Sequence, residues 1–323
     1  ETAVDCGGGT CPGCPIAQAC LVDDDCLNDA CLFGICKVND WEMFNPAYLP
    51  VMLRTVDFVD ALSGWAAGDG GSIIRTHDGG LTWHQVYAEY SGFDDIFFDI
   101  SFSDTSSGCA VEAPHDPSWD TFGYVGGITC TADGGETWSS RLETTGGANH
   151  PWQIDMEGQV GLAATNGSSH VYRSVDAGQS WEESVPDGAG NIYDVGLVTE
   201  QYGFAVGAVD GVSAVFETLD GGLNWTRTYD QITNKALNTL TVFDEDNAWA
   251  FGSPIGLNSP LVKYDGETWQ SHACAVYKYA DSNWGCSPTD LEYSNTPSPC
   301  DDLLPVAAVA FSTPNDGMLL QGY

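Results

Sequence analysis

The chain has 323 residues, 43% of them hydrophobic, and 46 Asp and Glu stand against 9 Lys and Arg for a formal charge of −37. That length allows one large domain plus a small appendage, and the charge excludes a basic footprint for nucleic acid or an anionic membrane surface. The longest apolar run, LLPVAAVAF at 303–311, is too short to span a bilayer.

Residues 1–40 come first and read as a unit of their own. Seven of the twelve cysteines fall within 6–36, in DCGGGTCPGCPIAQACLVDDDCLNDACLFGIC, with few large apolar side chains beside them. A stretch that cannot bury a core needs staples, and disulfides in an oxidising compartment supply them. The rival is a metal knuckle on Cys11 and Cys14, but no second C-x-x-C and no nearby His completes a tetrahedral site. ETAVDCGG, CPGC, DDDC and CLFGIC, in that order, resemble a cysteine-rich module of secreted and surface proteins of bacteria and algae. That module carries one more cysteine upstream, so the resemblance implies that residue 1 is not the start of the gene product. The sequence opens without a signal-peptide pattern, which leaves a targeting segment either removed or absent.

From about residue 41 a repeat takes over. RTHDGGLTW at 75–83 returns as CTADGGETW at 130–138, RSVDAGQSW at 173–181, ETLDGGLNW at 217–225 and, shortened, KYDGETW at 263–269. The closing residues Trp83, Trp138, Trp181, Trp225 and Trp269 are spaced 55, 43, 44 and 44 apart. Each turn follows a small-residue run (SGWAAGDGG, SGCAVEAP, VGLAATNG, YGFAVGAVDG, AWAFGSP) and, before it, an alternating apolar stretch such as LRTVDFVD or FFDISFSD. Four short strands, A to D, per period in the mid-forties predict a blade of a β-propeller. The expected fold is all-β: five full four-stranded antiparallel blades and the start of another, VAAVAFSTPNDGMLLQGY at 306–323, in a ring of six or seven over 41–323. With a blunt end at Tyr323 the chain reads as a fragment of a longer polypeptide, unless residues 41–52 double back to close the ring. Cys109 and Cys130 fall on neighbouring strands, where a cross-strand bridge fits. Cys274, Cys286 and Cys300 lie in a later insertion, and one bridge from there to the first module would leave no thiol over.

The turn's composition has a mechanical reason. Asp accepts N–H bonds inside the hairpin, Gly allows the reversal, Ser or Thr adds a hydroxyl and Trp packs over the turn. The pattern is similar to the Asp-box, or BNR repeat, of sialidases, sortilin-type receptors and a photosystem II assembly factor, over roughly residues 50–323. The resemblance implies that Asp78, Asp133, Asp176, Asp220 and Asp265 are structural and lie away from the active face.

Ligands are then expected on the opposite face, at the B–C and D–A loops. EAPHDPSWDTFGYVGG at 112–127 offers Glu112, His115, Asp116, Trp119, Asp120, Phe122 and Tyr124; TTGGANHPWQID at 144–155 adds His150 and Trp152, and the insertion near 273–305 adds Trp284. Aromatic platforms with carboxylates suit a sugar or a peptide; the plainer reading is that the rings bury their own loops. A sialidase needs an arginine clamp, and the five arginines, 54, 75, 141, 173 and 227, include one on an inner strand, Arg54, in a context without the family motif. The arginine-rich face of the photosystem assembly factor is missing as well. Histidines 77, 84, 115, 150, 170 and 272 show no metal-ligand spacing. No cofactor is expected, although an acidic surface is a candidate for Ca2+ capture. The first reading is therefore a non-catalytic secreted or cell-surface propeller that binds an extracellular protein or glycan. The alternatives are a carbohydrate-active hydrolase with paired carboxylates near Glu112, Asp116 and Asp120, and a self-assembling subunit of a filament or matrix.

Overall fold

The computed structural model describes residues 52–88, 95–114, 125–145, 150–165, 168–231, 236–252 and 260–273, with the strand backbones at 31–32, 35–36, 277–278, 284–285, 306–313 and 316–321. The chain divides into two units, Glu1–Leu49 and Pro50–Tyr323. In the first, Cys31–Leu32 pairs with Ile35–Cys36 as a short antiparallel hairpin.

The second unit holds five four-stranded antiparallel sheets, each a meander A-B-C-D. Sheet 1 is Leu53–Phe58, Gly64–Gly68, Ser72–Thr76 and His84–Ala88. Sheet 2 is Asp95–Phe102, Gly108–Pro114, Val125–Thr131 and Ser139–Thr145. Sheet 3 is Pro151–Glu157, Val160–Thr165, Val171–Ser174 and Glu182–Ser184. Sheet 4 is Asn191–Leu197, Gly203–Val209, Val212–Thr218 and Thr226–Gln231. Sheet 5 is Leu237–Asp244, Asn247–Gly252, Pro260–Tyr264 and Trp269–Ala273. Among the described residues Tyr277–Lys278 also pairs with Trp284–Gly285, and Val306–Thr313 with Asp316–Gln321. No helix occurs among the described residues.

Each A strand packs on the A strand of the next sheet, and the core is divided accordingly into four layers between consecutive sheets. Trp65 and Ile73 of sheet 1 meet Phe97, Ile100 and Phe102 of sheet 2. Val111 and Ile128 then meet Ile154 and Met156, Leu162 meets Val195 and Phe216, and Val206 meets Leu237 and Val262. The B strands read as unbroken apolar runs because both faces are covered: Cys109 and Val111 point one way and Ala110 the other. A fully buried side chain of this size contributes ~1.5–3 kcal/mol. This is a β-propeller-like arrangement.

The glycine in SGCAV has a packing role. A Cβ on Gly108 would stand 2.3 Å from the Phe102 ring, which lies over that backbone and stacks on Trp65 at 3.6 Å and 8°. Cys109 and Cys130, directly opposed on strands B and C of sheet 2, are joined as a disulfide.

Candidate functional site

The five Trp-closed turns are built as staples. In sheet 1, Asp78 Oδ1 accepts from the Thr76 hydroxyl and the Thr82 N–H, each at 2.8 Å, and Oδ2 accepts from the Thr82 hydroxyl at 2.6 Å. Trp83 Nε1 donates to the Gly80 carbonyl at 3.1 Å. Asp133 with Thr137 and Trp138, and Asp176 with Ser180 and Trp181, repeat the pattern. In the fourth turn Asn224 replaces the hydroxyl donor to Asp220, and Trp225 Nε1 reaches Ser184 of sheet 3 at 3.0 Å. Asp265 accepts from the N–H groups of Glu267 and Thr268 in the shortened turn, and Trp269 is buried in the core beside Phe204. The hydroxyl and amide donors hold Asp78 and Asp133 down at about 2.

Every turn lies at the A–B end of its sheet: Gly79 N–H reaches Leu62 O at 3.0 Å, and Gly134, Ala177 and Gly221 make the same bond. Two arginines work at that end. Arg75 Nη1 donates to Gly134 O at 2.6 Å and Nη2 to Glu136 at 2.9 Å; Arg173 donates to Gly221 O at 2.5 Å and Glu182 at 2.8 Å. Each thereby ties its own sheet to the turn of the next.

The opposite end, where strand A begins and strand B finishes, is built differently. Every A strand there carries one extra residue. Register jumps from Leu53↔Gly68 to Thr55↔Ala67, leaving Arg54 bulged. Phe98, Trp152, Tyr193 and Asn238 occupy the same place in sheets 2 to 5, and the last hairpin skips Ala307 likewise. A bulge re-aims a side chain and is enriched beside functional sites. The first three meet in succession: the Arg54 guanidinium lies over Phe98 at 5.7 Å, and Phe98 stacks on Trp152 at 3.7 Å and 21°. His150 follows at 5.8 Å from Trp152. Arg54 is also ion-paired to Asp69, both about one-third exposed. Asn191 Nδ2 donates to Tyr193 OH at 3.0 Å.

Aspartates line the A strands at two levels: Asp99 and Asp194 directly follow the bulged residue, while Asp57 and Asp155 lie three residues past it, toward the A–B end. Asp57 accepts from Phe102 N–H, Asp99 from Ile154 N–H, Asp155 from Leu197 N–H and Asp194 from Leu240 N–H, at 2.6–2.9 Å. Each carboxylate therefore ties its inner strand to the next. Thr55 donates back to Asp99 at 2.8 Å, so that one side chain joins three sheets. Burial pushes Asp99 up to about 7 despite its three donors, and Asp155 up to about 6. Asp57 is raised for the same reason, and Asp194 well above the usual carboxylate range.

Of the expected ligand-face residues, His150 and Trp152 lie side by side at this end, with Glu112 on the adjoining strand. His115, Asp116, Trp119, Asp120, Phe122 and Tyr124, and the Trp284 side chain, lie outside the described residues. Arg54 and Phe98 were not legible as ligand residues, because a bulge leaves no mark in a composition-based reading. The inner aspartates did leave one: an apolar–Asp–apolar triplet recurs at VDF, FDI, IDM and YDV. Among the described residues no three His, Cys, Asp or Glu side chains converge as metal ligands, and no helix is long and apolar enough to cross a membrane.

Residues 35–192 match the family model described as photosynthesis system II assembly factor YCF48. A photosystem II assembly lipoprotein Ycf48 from Synechococcus sp. (strain CC9902) is 25% identical over 236 residues, which cover 71% of this chain and 66% of that protein. The chain thus spans about two thirds of that relative. A solved structure of YCF48 bound to D1 peptide superposes with a TM-score of 0.53 at 19% identity, covering 86% of this chain and 79% of that one. A GH74 xyloglucanase from Xanthomonas campestris superposes with a TM-score of 0.52 at 15% identity, covering 81% of this chain and 40% of that enzyme. At such identities the superpositions speak for a shared propeller-type fold. The descriptions of the YCF48 proteins name neither an extracellular protein, a glycan nor a filament, so the expectations of secretion, glycan binding and self-assembly gain nothing from them.

Proposed function

We propose that this chain is a non-catalytic assembly protein of the YCF48 kind, which holds a polypeptide segment of a partner against the bulged rung at the B–C and D–A end of its sheets. The observation that carries this reading is the match of residues 35–192 to the YCF48 family model. Two features of the molecule support it. The Asp-box carboxylates and two of the arginines are consumed by turns and sheet-to-sheet clasps. The opposite end gathers an arginine and three aromatic side chains, of the kinds enriched at protein interfaces.

In this reading residues 1–40 are a disulfide module and 41–323 a propeller of six or seven blades, working in an oxidising compartment without a cofactor. Release from the cell is not part of it. His115, Asp116, Trp119, Asp120 and Tyr124 would rim the rung from the second blade's loop, with Trp284 from the later insertion. Assembly here means holding a client polypeptide, the reading that the family match favours.

Calorimetric titration of the full chain with the D1 peptide tests the proposal. Saturable binding that Trp152→Ala weakens at least tenfold is the expected outcome. Absence of binding, together with turnover on a polysaccharide panel, would overturn it in favour of a hydrolase.

A further inference from the structure

The rung's own chemistry says what kind of polypeptide it takes. Phe98 lies between Arg54 of the preceding sheet, at 5.7 Å, and Trp152 of the following one, at 3.7 Å. With both neighbours in place, Phe98 is flanked on both sides and one face of Trp152 is covered by Phe98. Sugar recognition depends on a free face on which a pyranose can lie, whereas ring edges accept apolar and aromatic side chains of a crossing peptide.

Charge narrows the choice further. Arg54 carries the one positive charge among the bulged residues, and Asp69 neutralises it. Arg75 and Arg173 are held by carbonyls and by Glu136 and Glu182 at the far end of the sheets. Lys263 lies over Trp249 at 5.1 Å, on strand C of sheet 5. Arg141 and Arg227 sit on outer D strands. Among the described residues, then, no uncompensated cation waits at the rung for an acidic ligand, while the molecule as a whole carries −37. A field of that sign concentrates cationic partners and repels anionic ones, with on-rate effects of ~10–10³ at low salt.

We infer that the bulged rung selects a polypeptide segment with an aromatic or apolar centre flanked by Lys or Arg, and discriminates against acidic segments. This rests on the proposed peptide-holding role and adds the chemistry of its client.

The test uses the full chain and three synthetic peptides that share an aromatic centre and differ in flanks of Lys, Gln or Glu. Binding is followed by calorimetry and tryptophan fluorescence, at low salt and in 1 M NaCl, where the Debye length is about 3 Å. The Lys-flanked peptide is expected to bind at least ~10-fold tighter than the Glu-flanked one at low salt, with the gap closing at high salt. Phe98→Ala and Trp152→Ala should weaken it at least ~10-fold, as expected of interface anchors. If either unfolds the protein, Phe98→Leu and Trp152→Leu, which keep bulk and remove stacking, give the same readout. Equal or tighter binding of the Glu-flanked peptide overturns the inference, as does affinity indifferent to Phe98 and Trp152. A neutral xyloglucan oligosaccharide that binds at the rung and displaces the peptides also overturns it. If the D1 peptide binds while the Lys-flanked preference is absent, the client chemistry alone fails; if no peptide binds at all, the holding role fails with it.

Discussion

Asp99 and Asp133 carry the same carboxylate into opposite surroundings, and acid–base titration should separate them. Asp133 sits in a solvent-facing turn where donors stabilise its charge, so its contribution is present above the unfolded value of 3.8 and is lost as pH falls toward 2. Asp99 is raised to about 7, so the native state holds a proton that the unfolded chain gives up near 3.8. Its stabilisation is complete below 3.8 and disappears as pH rises through 7. Facing Asp99 are the Thr55 hydroxyl, the N–H groups of Ile100 and Ile154, and the charge of Asp155; Asp194, also raised, feels Asp99 and Asp155 in turn. From the raised groups a decline in stability follows as pH rises from about 4 toward neutrality. Each unit of raised pKa that persists corresponds to ~1.4 kcal/mol. Thermal melts between pH 5 and 8 should show the decline in the wild type and a flatter profile for Asp99→Asn. A wild-type melting point that climbs over that range would contradict it.

At the scale of an element, the third box shows how a turn is shaped by its neighbours. Ala177 stands at φ 55 where the first two boxes place glycine, and Gly178 follows at φ 80. A Cβ on Gly178 would lie 2.3 Å from Cys109 Sγ and 2.9 Å from Cys130 Sγ, so the disulfide of sheet 2 is the wall against which the turn of sheet 3 is pressed. Ala177→Gly, which relieves a left-handed residue, should stabilise by up to ~1 kcal/mol. Gly178→Ala should cost ~1–3 kcal/mol through overpacking, in addition to its unfavourable φ. Urea unfolding distinguishes the two by the sign of the shift in midpoint. The boxes were legible in the sequence because Asp, Gly and Trp are required by geometry at fixed offsets. So were the strands, from the alternation of LRTVDF and the apolar run of GCAV. The bulges were not: an extra residue in FFDIS alters pairing with the neighbouring strand, and pairing is a property of two segments at once. Arg54 and Phe98 therefore passed as ordinary inner-strand residues, while Trp152, marked by its loop setting, was recognised as a ligand-face candidate.

For the molecule as a whole, the charge of −37 is a standing repulsion that the packing must offset. Stability should rise with added NaCl as that repulsion is screened. Calcium at matched ionic strength and a chelator separate that screening from a structural ion. Melting points in NaCl, CaCl2 and EDTA read this out, and a fall on chelation would reveal a structural ion. A second whole-molecule feature lies at sheet 1, whose inner strand leaves Val56 59% and Phe58 42% exposed. The corresponding strand of sheet 2 buries Ile100 and Phe102 against its predecessor. Six inner strands skip a residue at the same height, and this has a consequence for how such a protein can change. Each hitch is one residue wherever it occurs, so the ladder below is joined in the same alignment in every sheet, and insertions in the connection ahead of it leave those pairs untouched. Taste for a client can thus drift one letter at a time around the mouth, while the wheel beneath keeps its gauge.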